Sequence, residues 1–109
     1  MPGGREDDAR AFYVGRLGFL ELPKPPVLAA RGGCWFQFGV VQVHLGVETD
    51  FRPAQKAHPA LVVSGLDELV AAADLAARWS EEIPGTRRCY VDDPFGNRLE
   101  LIAGSEASR

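Results

Sequence analysis

The chain has two histidines, His44 and His58, and both fall in stretches that read as β-strands. His44 lies in Val41-Gln42-Val43-His44-Leu45 and points away from Val43 and Leu45; Glu100 lies in Arg98-Leu99-Glu100-Leu101-Ile102 and points away from Leu99 and Leu101. Each is a polar group on the strand face opposite the apolar one. Two imidazoles and one carboxylate are a donor set for a borderline divalent cation (zinc, iron(II), manganese or nickel) that leaves coordination positions open for a substrate. The spacing of the three along the chain follows no local ligand motif, so only the fold can bring them together. Unassembled, His44 is a hydrogen-bonded strand histidine, His58 a solvated strand-start residue, and Glu100 a surface ion-pair partner of Arg87, Arg88 or Arg98.

The elements that must carry these residues come in a repeated order. Ala9, Phe12, Tyr13 and Leu17 fall at helical spacing and predict a helix over 7–17, started by Asp7 or Asp8 and stopped at Gly18. A short strand follows over 19–22, closed by Pro23-Lys24-Pro25-Pro26, a run read as neither helix nor ladder. Strands over 34–38 and 40–47 then make a hairpin turned at Gly39. After a polar connector, the chain reads as a strand over 58–63, a helix over 66–79, strands over 81–83 and 86–91, a turn at Asp92-Asp93-Pro94-Phe95-Gly96-Asn97, and a strand over 98–103 with a polar tail beyond. The second half is therefore βαβββ, and the first half is the same unit without its opening strand. Under this repeat His44 and Glu100 occupy matching positions in the last strand of each half.

Composition narrows the setting. With 109 residues, 46% hydrophobic and 25% charged, the chain is one small globular domain or two small modules. A net charge of −3 without clustered Lys and Arg argues against nucleic-acid binding. No apolar run approaches the roughly 18 residues of a membrane span, and the polar start carries no secretory signal, so the expected location is the cytoplasm. Cys34 and Cys89 stand far apart and read as buried, reduced thiols.

Two segments resemble a known family. Phe12-Tyr13-Val14-Gly15-Arg16-Leu17-Gly18-Phe19 is similar to the F-Y-x-x-x-L-G-F helix-end signature of the vicinal oxygen chelate superfamily, which includes glyoxalase I, extradiol dioxygenases, fosfomycin-resistance transferases and bleomycin-resistance proteins. Asp92 to Leu101 resembles its closing signature, D-P-x-G-N-x-x-E-L. The resemblance spans residues 5–103 and implies an α+β fold of two βαβββ modules whose curved mixed sheet surrounds a cleft. It divides the chain into a first module over 1–50 that lacks its opening strand, a connector over 51–57 and a second module over 58–109.

The resemblance also implies a site. The family takes metal ligands from the first and last strand of each module. Glu100 matches the closing-strand glutamate and His58 the opening-strand histidine of the second module, while His44 stands where glyoxalase I-like members carry a glutamate. The fourth position has no counterpart in this chain. The expected metal ligands are thus His44, His58 and Glu100, with Glu100 as the catalytic base if it leaves the metal. Trp35, Gln42, Arg88 and Tyr90 line the same expected concavity by alternation and are candidates for substrate contact, as is Gln37; Arg52 and Lys56 in the connector are candidates for binding an anion.

The expected function is a metal-dependent lyase, isomerase or dioxygenase of the glyoxalase type acting on a small molecule with adjacent oxygens. The alternatives are a metal-free binding protein of the bleomycin-resistance type and a truncated, inactive form. Exposed sheet edges favour a homodimer.

Overall fold

The computed structural model describes residues 1–104; most of the polar tail, 105–109, lies outside the described residues. The chain divides into two compact units, Met1–Pro53 and Ala54–Arg109. The first runs α1 (Glu6–Arg10), a π-helical continuation (Ala11–Arg16), β1 (Leu20–Leu22), α2 (Pro26–Ala29), β2 (Cys34–Phe38) and β3 (Val41–Leu45). The second runs β4 (Ala60–Val63), α3 (Leu66–Ala72), β5 (Arg78–Ser80), β6 (Arg88–Asp92) and β7 (Arg98–Ala103). The fold is α+β: an antiparallel sheet in the order β1-β2-β3, and a mixed sheet in the order β4-β7-β6-β5 with β4 parallel to β7. The repeat is visible in these orders, since β5-β6-β7 has the connectivity of β1-β2-β3.

In the first unit the expected helix changes pitch halfway. The Leu17 N–H donates to the Phe12 carbonyl at 3.0 Å, a five-residue step that widens the turn. The wider turn lets the neighbouring Phe12 and Tyr13 both face inward, at 5% and 1% exposure. Tyr13 stacks on Phe36 of β2 with ring centroids 5.2 Å apart, and Phe12 meets its edge at 5.0 Å. Aromatic pairs of this kind contribute about 0.5–1.5 kcal/mol beyond their buried area. Gly18 then ends the helix with φ +83, a conformation that only glycine takes without strain.

Several boundaries differ from the expectation. Strand β4 starts at Ala60, where pairing with Glu100 begins, so His58 precedes the strand and does not lie on it. Three further differences have physical reasons. Pro26 starts the single-turn α2 at its first helical position, where a missing N–H costs nothing, so the proline run contains a helix after all. Helix α3 stops at Ala72 and the chain reverses at Asp74, φ 52, well before the expected end at 79. The third strand element of the second unit is Arg78–Ser80 and not 81–83, because Trp79 pairs across to Cys89 and its ring lies under the Arg87 guanidinium at 3.7 Å. A stretch whose apolar residues kept helical spacing is claimed by the sheet.

Burial follows the alternation. Cys34, Phe36 and Cys89 are fully enclosed, and Leu66, Val91, Leu99 and Leu101 form the core of the second unit. Both thiols are free, and burial pushes their pKa values upward, which makes them inert packing groups. Among the described residues, no helix is long and apolar enough to cross a membrane.

The start of β2 is tied to α1 by one carboxylate. Glu6 accepts the Gly33 N–H at 2.9 Å, and that bond holds the Glu6 carboxyl below the ordinary carboxylate range. A depressed carboxyl stabilises the fold above its unfolded pKa, and the contribution is lost as pH falls through the lower, folded value. Acid unfolding followed by circular dichroism below about pH 4 is therefore expected to be less steep for Glu6→Gln, which keeps the acceptor oxygen and removes the titration. An unchanged acid limb in that variant would contradict this role.

Candidate functional site

The second unit brings two of the three candidate ligands together. Parallel pairing sets Ala60 of β4 beside Glu100 of β7, and the Glu100 N–H donates to the Pro59 carbonyl at 3.0 Å. His58, just before β4, is carried over the Glu100 carboxylate, with Nε2 2.9 Å from Oε1. The other ring nitrogen, Nδ1, lies 2.8 Å from the Lys56 carbonyl, which can only accept. That bond fixes the ring and places Nδ1–H, leaving Nε2 to face the carboxylate.

The turn before β7 sets the register that aims Glu100. Asp93 is 5% exposed, and its Oδ1 accepts the Phe95 and Asn97 N–H groups at 2.9 Å each. Its Oδ2 accepts from the Asn97 side-chain amide at 2.8 Å, so one buried carboxylate organises the entire turn. The strands leaving it pair Asp92 with Arg98 and Tyr90 with Glu100.

Behind Glu100 lies Arg88, 6% exposed. Its Nη1 donates to Glu100 Oε2 at 3.0 Å and to the Tyr90 hydroxyl at 2.7 Å, and its Nη2 donates to Ser80 Oγ at 3.0 Å. The His58 and Arg88 hydrogen bonds hold the Glu100 carboxyl below the ordinary range, the His58 bond contributing most. Tyr90 meets the His58 ring edge-on at 5.4 Å, and Arg98 lies over the Tyr90 ring at 5.6 Å.

His44 belongs to the first unit. It is exposed on β3, stacked on Trp35 of β2 with centroids 4.1 Å apart, and its Nε2 is 2.9 Å from Gln42 Oε1. The Lys24 ammonium stands over the same Trp35 ring at 5.9 Å. Trp35, Gln42 and His44 thus form one aromatic and polar patch, while Tyr90 and Arg88 accompany His58 and Glu100 in the second unit. Gln37 turns to the Gly39 carbonyl at 2.8 Å, and Arg52 and Lys56 are exposed.

The donor chemistry of the His58–Glu100 pair suits a divalent cation. An Nδ1–H held by a backbone carbonyl is the support a metal-ligating histidine has; here Nε2, the nitrogen a metal would take, is hydrogen-bonded to Glu100 Oε1, so a cation would have to replace that bond. Among the described residues, no group of three or more His, Cys, Asp or Glu side chains is placed to hold a metal, so this pair supplies two ligands. Two partners escaped the sequence reading. Nothing in the spacing marks the Lys56 carbonyl or the Ser80 hydroxyl, because both depend on where β4 and β5 begin.

No protein-family model and no curated protein sequence matches the chain. Among solved structures, an antibiotic-binding protein, TnmS3, from Streptomyces sp. CB03234 superposes with a TM-score of 0.74 at 21% identity, covering 96% of this chain and 91% of that one. A lactoylglutathione lyase from Agrobacterium tumefaciens has a TM-score of 0.64 at 20% identity, covering 95% and 89%. At these identities the likeness is one of fold. A glyoxalase family protein from Bacillus anthracis is much nearer, with a TM-score of 0.90 at 42% identity over 96% of this chain and 88% of that one. Identity at that level over nearly the whole chain, on the fold that the two motifs implied, places this protein in the glyoxalase/bleomycin resistance/dioxygenase superfamily, as a member of the glyoxalase family.

Proposed function

We propose that the protein is a glyoxalase-type enzyme that acts on a small molecule with adjacent oxygens, using a divalent metal held by His58 and Glu100. The observation that carries this reading is the His58 imidazole, anchored through Nδ1 and presenting Nε2 at 2.9 Å from Glu100 Oε1. When bound, such a cation would act as a Lewis acid toward two neighbouring substrate oxygens. The chain's own residues supply the rest. His58 and Glu100 bind and orient, and Glu100 is the base placed to take a proton if it leaves the metal. Trp35, stacked with His44 and flanked by Gln42, offers a flat surface for an apolar or conjugated substrate. Tyr90 is the candidate for substrate contact beside His58. We further place it in the cytoplasm as a homodimer, since Leu20 on edge strand β1 and Phe38 at the end of β2 are exposed.

A second reading is favoured by one observation. Both Glu100 oxygens already have partners, His58 and Arg88, so the cluster is satisfied without a cation. That suits a binding protein of the bleomycin-resistance type that needs no metal; the neighbour TnmS3 is named an antibiotic-binding protein. Metal analysis after incubation with zinc, manganese, nickel and iron(II) separates the two. Close to one metal per chain, lost in His58→Ala, supports the enzyme; no metal in the unaltered chain overturns it.

A further inference from the structure

We propose that Arg88 is a positioning residue for Glu100: it grips the carboxylate by Oε2 alone and so fixes Oε1 toward the His58 imidazole. The geometry of the grip makes the case. A guanidinium and a carboxylate pair most strongly fork to fork, with two parallel N–H···O bonds. Arg88 makes only one such bond, Nη1 to Oε2 at 3.0 Å, and its Nε is buried with no hydrogen-bond partner among the described residues. A pair that served stability alone would use that donor on the second oxygen. Instead Oε1 is left to His58 at 2.9 Å.

The orientation is built in from behind. The Tyr90 hydroxyl and Ser80 Oγ hold the guanidinium at 2.7 and 3.0 Å, one from the same strand and one from the neighbouring β5. Glu82 approaches Arg88 only to 3.8 Å and is 86% exposed, so Glu100 is the close anionic partner of this buried cation. The chain Ser80–Arg88–Glu100–His58–Lys56 carbonyl crosses three strands and fixes each polar group by the next. Toward a metal, Glu100 then offers one oxygen and not two. This last point rests on the metal reading above; the placement of Oε1 against His58 does not.

Two readouts on the full chain test it. In the metal-free protein, the ring resonances of nitrogen-15-labelled His58 report its bond to Oε1. Arg88→Met, checked for folding by circular dichroism, is expected to shift or broaden away the His58 Nε2 signal, and Arg88→Lys to restore most of it. A folded Arg88→Met with an unchanged His58 signal overturns the proposal. If Arg88→Met does not fold, Ser80→Ala decides: it loosens the guanidinium without leaving a charge unpaired, and an unchanged His58 signal there overturns the proposal equally.

Cobalt(II) gives the second readout. Freed from Arg88, both Glu100 oxygens reach the ion, the coordination number rises, and the visible absorption falls several-fold in Arg88→Met. Identical cobalt spectra in the two proteins contradict the single-oxygen grip. An unaltered chain that binds no cobalt overturns the metal reading, while the His58 resonances still decide the role of Arg88.

Discussion

Glu100→Ala is expected to lower the affinity for a divalent cation by more than about 100-fold, beyond the 10- to 100-fold that the loss of a supporting hydrogen-bond partner costs. The reason is where Glu100 stands. Its carboxylate is the one anion between the His58 imidazole at 2.9 Å and the Arg88 guanidinium at 3.0 Å. Removing it takes away a ligand and also leaves two nitrogen donors facing each other across the gap, with a buried cation unpaired. Glu100→Gln keeps the shape and loses the charge, so it separates the two effects. It should fold better than Glu100→Ala and still fail to bind. Isothermal titration with manganese or nickel measures the loss, and Glu100→Ala binding with unaltered affinity would remove Glu100 from the ligand set.

The other large effect lies in the first unit. Gly33→Ala is expected to destabilise that unit by about 3 kcal/mol or more. Gly33 has φ +85, and an added Cβ would sit 3.2 Å from the Leu45 carbonyl carbon and closer still to its oxygen. The clash is with backbone, which cannot rotate aside. Moving it would separate β2 from β3 at the pair Cys34–Leu45 and break the Gly33 N–H bond to Glu6. The Trp35–His44 stack is the next pair along the same ladder, so the patch on this unit should loosen with it. A thermal melt lowered by roughly 10 °C or more is the expected reading. A melt within a degree or two of the original would show that β2 and β3 separate at little cost.

The meeting of His58 and Glu100 was legible in part, for a physical reason. The repeat paired His44 with Glu100, strand alternation gave their facing, and the Asp-Pro-Phe-Gly-Asn turn announced the hairpin that presents Glu100. His58 was linked to Glu100 only through the family resemblance, which puts ligands on the opening and closing strands of a module; the parallel pairing of β4 with β7 that makes them neighbours came from the structure. The role of Arg88 was not legible. Arg87 and Arg88 are adjacent and face opposite ways: Arg87 lies over Trp79 and pairs with Asp67 in solvent, while Arg88 turns inward to Glu100. Which arginine does which depends on the register of β5 against β6, and β5 was hidden in a stretch with helical spacing. The π-turn was hidden likewise, since it is packing of Phe12 and Tyr13 together that widens the helix, and no residue type signals it.

The family membership fixes the architecture and leaves the chemistry to the side chains. The proposed function stands or falls on whether His58 Nε2 and Glu100 Oε1 hold a metal together. X-ray absorption and anomalous diffraction at the metal edge, on protein loaded with zinc or nickel, measure this directly. The account predicts one metal within about 2.0–2.2 Å of His58 Nε2 and of a single Glu100 oxygen. A loaded protein whose metal lies elsewhere, or in which His58 and Glu100 remain bonded to each other, would contradict it.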